Sequence, residues 1–245
     1  MNVPAGRPGL QAGVSAPTLL VLAAFLVVYE NVATLITGGE LFISVPAALT
    51  IAAILVTAMI AWSGRCSLTL AELGLTRHGA ARSAAIGLAV AAVVAAGAVV
   101  IVRIGPVVDG PVQYEPFATM SVGEVFARAL LWVPLATVLP EELSFRGVLL
   151  ALLRRRYADG RAALLSAIPF ALWHGLIIVH TVGQTSLART TWTMALGIIG
   201  GFVVVALGGL LFAYLRIRTG SLLAPLACHW AFNASVLIGL YLLQR

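Results

Sequence analysis

The chain contains no lysine. All fifteen of its basic residues are arginines, nine residues are acidic, and charged residues make up only 10% of the 245 positions. Cysteine is equally scarce. Cys66 and Cys228 stand far apart and form no C-x-x-C, which excludes a disulfide framework, so both read as packing thiols. Apolar residues are plentiful: 61% of the chain is hydrophobic and the mean hydropathy is +1.04. A soluble domain cannot hide that much apolar surface, so lipid must be part of the solvent. The apolar runs are long and continuous rather than short and alternating, which excludes a membrane β-barrel. The expected fold is therefore all-α, a polytopic membrane helix bundle forming one integral membrane domain over residues 1–245.

A net charge of +6 and a pI near 10.1 could suit a nucleic-acid binder. The arginines, however, are dispersed among interhelical loops and form no basic face. The expected partners are the lipid bilayer and no nucleic acid. Residues 1–16 read as a short tail rather than a cleaved signal, because a full-length apolar run follows from about Thr18.

Seven crossings of about 20 residues each can be drawn: roughly 17–36, 41–62, 84–103, 121–153, 162–180, 191–215 and 221–243. With the N-terminus in the cytoplasm, ten arginines fall on the cytoplasmic side: Arg7, Arg65, Arg77, Arg82, Arg154, Arg155, Arg156, Arg161, Arg216 and Arg218. Only Arg103, Arg189 and Arg245 fall outside, a positive-inside bias. The absence of Lys and the Ala/Arg/Gly/Val richness suit a prokaryotic cytoplasmic membrane. The fourth segment would be about 50 Å long as a straight helix, against about 30 Å of hydrocarbon. A sharp bend at Pro134 or Pro140 would make the count eight. In the same segment Glu124 and Arg128 read as an i, i+4 ion pair. The loop 63–83 is expected to hold a short interfacial helix around Leu68 to Leu75, with His78 a solvated loop residue.

Ionisable residues inside membrane segments face the protein interior or a water-filled cavity. Counted from the arginine-marked boundaries, Glu141, His174, His229 and Asn233 all lie roughly 16–22 Å in, on three different helices. Glu141 and Glu142 diverge by about 100° around their helix, so they cannot share one role. Glu142 and Arg146 can pair at i, i+4, which leaves Glu141 to face a cavity. Phe170 shares a face with His174, and His229 with Asn233. A carboxylate and a histidine around a water suit peptide hydrolysis, with a second group on the oxyanion. A structural Glu/Arg/His/Asn network tying helices together and a proton or ion path in a transporter are compatible with the same residues. Glu30 and Asn31 could line the cavity but are expected rather to snorkel to the interface, and His180 is expected to turn away from His174. Trp132, Trp173, Trp192 and Trp230 read as packing or interface aromatics. Trp173 and Trp230 flank the two histidines and could shape a substrate groove.

"EELSFR" fits E-E-x-x-x-R, "FALWH" fits F-x-x-x-H and "HWAFN" fits H-x-x-x-N. In this order on successive membrane helices, they resemble the CPBP intramembrane proteases, the CAAX-protease and bacteriocin-processing family, whose eukaryotic members include the type II CAAX prenyl endopeptidase. The resemblance covers about residues 120–243, the catalytic core helices, with a looser match at "AELGLTR". It implies an intramembrane endopeptidase acting on a membrane-bound peptide or protein, prenylated or bacteriocin-like. It further implies Glu141 as base on a water helped by His174, His229 and Asn233 on the oxyanion, Glu142 and Arg146 shaping the site, and Phe170 packing on His174. The family's description as metalloproteases leaves the cofactor as none or Zn2+. If zinc is used, Glu141, His174 and His229 would be its ligands, although H-E-x-x-H is absent.

Overall fold

The computed structural model describes residues 14–39, 43–76, 79–104 (side chains through 97) and 112–244. Arg7, Arg77, His78 and Arg245, and the side chain of Arg103, lie outside this description. The described chain is helical: α1 Ala16–Ile36, α2 Val45–Arg65, α3 Leu70–Leu73, α4 Ala80–Ile104, α5 Val122–Arg156, α6 Asp159–Trp173, α7 Gly175–Gly183, α8 Thr191–Thr219 and α9 Leu223–Leu243. Among the described residues six are long and apolar enough to cross a membrane, and the α6–α7 pair, bent by 46°, is either a broken seventh span or a re-entrant loop. The chain is thus an integral membrane helix bundle.

Two expectations about the spans change. The fourth segment does not fold back on itself. α5 runs through its prolines as one 35-residue helix, and it does so by unwinding. Arg128–Val138 and Leu143–Leu149 are wound as π-helix, on either side of an α-helical turn at Leu139–Glu142. A proline has no N–H for the ladder, and i→i+5 winding absorbs the mismatch without a kink. The fifth segment, drawn as one run over 162–180, is the broken one. His174 ends α6 and starts α7 with φ −83° and ψ 7°.

Small residues set the closest helix approaches, as in membrane bundles generally. A Cβ on Gly87 of α4 would lie 2.2 Å from the Ala224 carbonyl of α9, so these helices touch backbone to backbone. A Cβ on Gly209 of α8 would press on Phe170 and Ala167 of α6 at 3.1 and 3.2 Å. The main buried cluster joins α1, α2, α5 and α6 through Leu22, Leu26, Met59, Phe145, Leu149 and Phe170.

The loop after α2 is fastened rather than loose. Thr69 and Glu72 form a reciprocal capping box around α3. Arg155 at the end of α5 then bonds both Glu72 oxygens, at 2.7 and 2.9 Å, and the carbonyls of Cys66 and Ser67. The guanidinium holds the Glu72 carboxyl down to about 2. Gly74 takes the left-handed conformation at φ 75°, leaving room for Arg216, which donates to the Glu72 carbonyl at 2.6 Å. The interfacial helix is there, but only over Leu70–Leu73. At the start of α5, Glu124 and Ser121 form a second capping box, and the Arg128 guanidinium lies over the Trp132 ring at 5.4 Å.

Candidate functional site

Glu141 and Glu142 occupy the single α-helical turn between the two π-wound stretches of α5. Their side chains leave the helix in different directions, as their spacing requires. Glu142 is fully buried and accepts from Arg146 Nη1 at 3.0 Å one turn on. Its Oε1 also meets His229 Nδ1 at 2.9 Å. Arg146 is held from three sides. It pairs with Glu142, donates to the Gly209 carbonyl at 3.2 Å and lies 3.9 Å above the Phe170 ring. One buried charge pair thus ties α5 to α8 and, through His229, to α9.

Glu141 is also buried, 5% exposed, and its Oε2, like that of Glu142, has no hydrogen-bond partner; of the two glutamates it is Glu141 that lines a cavity. His174 Nε2 lies 3.7 Å from Glu141 Oε2 and His229 Nε2 3.9 Å from it. Both distances are too long for a direct hydrogen bond. The 3.7 Å gap is one that a water oxygen, about 2.8 Å from each side, can bridge.

The far ring nitrogens fix the tautomers. His174 Nδ1 lies 2.8 Å from the Phe170 carbonyl oxygen, which can only accept, so Nδ1 carries the proton. His229 Nδ1 faces a carboxylate that also takes Arg146, so it too is the protonated nitrogen. Both histidines therefore turn Nε2, the ring nitrogen left without a protein partner by these bonds, toward Glu141. Phe170 packs edge-on against His174, with centroids 4.7 Å apart, and Phe212 stacks on His229 at 4.6 Å, so neither ring can swing.

These groups line a cavity of about 670 Å³ together with Asn233, Trp173 and residues of α1, α2, α4 and α8. Its wall is mainly apolar with a few polar groups on one side, the pattern of a ligand site. Glu141, His174, His229, Asn233, Phe170 and Trp173 are all brought to it.

Trp230 does not line this cavity; its indole N–H donates to the Ala129 carbonyl of α5 at 2.9 Å, so it fastens α9 to α5. Glu30, expected at the interface, lines the cavity instead. Asn31 is tied to the α6–α7 break rather than to the interface. His180 is half-buried against Gly39, whose added Cβ would strike its ring. Only the polarity of "YEN" within an apolar helix could have drawn attention to Glu30 and Asn31 from sequence.

Zinc ligands at about 2.0–2.1 Å in a tetrahedron stand about 3.3 Å from one another. The two nitrogens here are farther than that from Glu141 Oε2, and among the described residues no group of three His, Cys, Asp or Glu side chains is arranged to hold a metal ion. The three residues do not form a ready ligand set, and no step below passes through a metal.

No characterised protein and no solved structure matches the chain. Residues 123–235 match the family described as type II CAAX prenyl endopeptidase Rce1-like, a segment that holds Glu141, Glu142, Arg146, Phe170, His174, His229 and Asn233. This segment, a little under half of the chain, is similar to that family's domain and supports membership of the CAAX/CPBP family and, in general terms, a CAAX-type intramembrane endopeptidase.

Proposed function

We propose that the cavity hydrolyses a peptide bond of a membrane-associated substrate, prenylated CAAX-type or bacteriocin-like, by a water activated at Glu141. The observation that carries this reading is the unpartnered Glu141 Oε2 facing the Nε2 atoms of His174 and His229 inside a mostly apolar cavity. A water there donates one hydrogen to Glu141 and the other to His174, and its oxygen lone pair stays free to attack. As the C–O bond forms, Glu141 keeps the proton. The tetrahedral oxyanion is met by the Asn233 side-chain amide and, when its ring carries both protons, by His229 Nε2–H, with the cation compensated by Glu142. When the C–N bond breaks, the proton on Glu141 passes to the leaving amine. Glu142, Arg146 and Phe170 hold the two histidines and take no proton.

The test is cleavage of an internally quenched farnesylated CAAX peptide, and of its non-prenylated form, by detergent-purified protein. Wild type is expected to cut and Glu141→Gln to lose about 10²–10⁴-fold while melting like wild type. Cutting of the prenylated peptide alone would assign the lipid a part in recognition. Cleavage is expected to survive dialysis against a chelator. Parallel loss of bound zinc and activity, restored by zinc, would give the same three residues a metal role. A wild type that cuts neither peptide, with a Glu141→Gln form that collapses, would favour a non-catalytic helix-tying network. Substrate-independent ion flux in liposomes would favour a transporter.

A further inference from the structure

The residue that shapes the His174 break lies outside the segment matched to the family. Between α6 and α7 the helical ladder is interrupted, so the carbonyls of Leu172 and Trp173 and the N–H of Leu176 need other partners. Asn31 of α1 serves both sides. Its Nδ2 donates to the Leu172 carbonyl at 3.0 Å and to the Trp173 carbonyl at 3.4 Å, as well as to Val27 in its own helix at 2.7 Å. Its Oδ1 accepts from the Leu176 N–H at 3.0 Å. The side-chain amide thus stands in for the missing turn. A Cβ on Gly175 would already sit 3.3 Å from that Oδ1, so the fit is close. Tyr29, two positions earlier, stacks on Trp173 with centroids 6.1 Å apart and an interplanar angle of 18°.

We infer that Asn31 is a positioning residue: by satisfying both ends of the break it sets the direction in which His174 presents Nε2 to Glu141. It touches no reacting atom and acts through the backbone on either side of His174. The catalytic consequence rests on the reading of Glu141 and His174 given above, whereas the structural consequence does not.

The experiment compares the full-length protein with Asn31→Leu, Asn31→Asp and Gly175→Ala in two readouts. The first is hydrogen exchange of peptides spanning 170–178, which needs no substrate. Asn31→Leu is expected to speed exchange of the Leu176 amide by about tenfold or more, because its acceptor is gone. Asn31→Asp keeps an acceptor and is expected to keep most of the protection. Gly175→Ala, which presses a methyl on Oδ1, is expected to fall between. The second readout is cleavage of the farnesylated peptide. A misdirected histidine is expected to lower kcat about 10- to 100-fold with KM within about threefold, in the order wild type, Asn31→Asp, Asn31→Leu. Unchanged exchange at Leu176 in Asn31→Leu overturns the inference. So does faster exchange with unchanged kcat, since the break would then not govern His174. A wild type that cleaves nothing sinks the proteolytic reading, and the exchange readout still decides whether Asn31 holds the break. If Asn31→Leu does not fold, Asn31→Asp and Gly175→Ala carry the same comparison.

Discussion

Adjacent glutamates in "PEEL" have opposite stakes in the fold. Glu142 is fully satisfied on one oxygen by Arg146 and His229, so removing a partner strands a charge in the membrane interior. Arg146→Leu is expected to cost about 3–5 kcal/mol of stability, read as a large drop in melting temperature in detergent, with activity lost because the protein unfolds. Glu141 Oε2 has no partner to lose. Glu141→Gln is expected to leave the melting temperature within a few degrees of wild type while abolishing cleavage. The pair of variants separates frame from chemistry: equal destabilisation by both would place Glu141 in the frame. The i, i+4 spacing made the Glu142–Arg146 pair readable in advance. The His229–Glu142 bond was not readable, because it joins residues 87 positions apart and depends on which way the ring faces.

At the scale of elements, the clamp on α3 has a definite pH range. Arg155 and the Thr69 cap lower Glu72 from about 4.5 to about 2. The clamp's contribution is therefore fully present above the unfolded value and lost as pH falls through the folded one, between about 4.5 and 2. Protease nicking or hydrogen exchange over 66–76 is expected to stay slow from neutral pH down to about 5 and to rise only below about 4. Glu72→Gln is expected to give the faster rate at every pH. Opening of this loop near neutrality in wild type would contradict the clamp.

The apolar spans were legible from hydropathy, and so was the convergence of three motifs at one depth, because both follow from counting residues along a helix. Breaks were harder. Pro134 and Pro140 advertised a bend that π winding absorbs, whereas "WHG" carries no proline and yet breaks the helix, because Asn31 of a distant helix supplies the missing partners. Glu30 was misplaced for a related reason: near the end of an apolar helix, snorkelling and facing a cavity look alike until the neighbouring helices are in place.

On the scale of the whole molecule, several of the described arginines gather at one rim. Arg65, Arg154, Arg156 and Arg218 are exposed at the same ends of the helices as the α3 clamp, with Arg156 and Arg161 over Tyr157 and Arg218 over Tyr214. Cations with flanking aromatics suit the headgroup level of a cytoplasmic leaflet. We propose this rim as the cytoplasmic side, which also places the N-terminus there. The chain supplies its own reporter. Cys66 is partly exposed beside the clamp, and Cys228 is buried in the cavity wall. A membrane-impermeant maleimide is expected to label inverted vesicles but not intact cells or right-side-out vesicles, and Cys66→Ser is expected to abolish that labelling. Labelling of Cys66 from outside intact cells would reverse the orientation. The Glu141 cavity would keep its geometry, but α3 and the Arg155 clamp would then face the exterior rather than the cytoplasm.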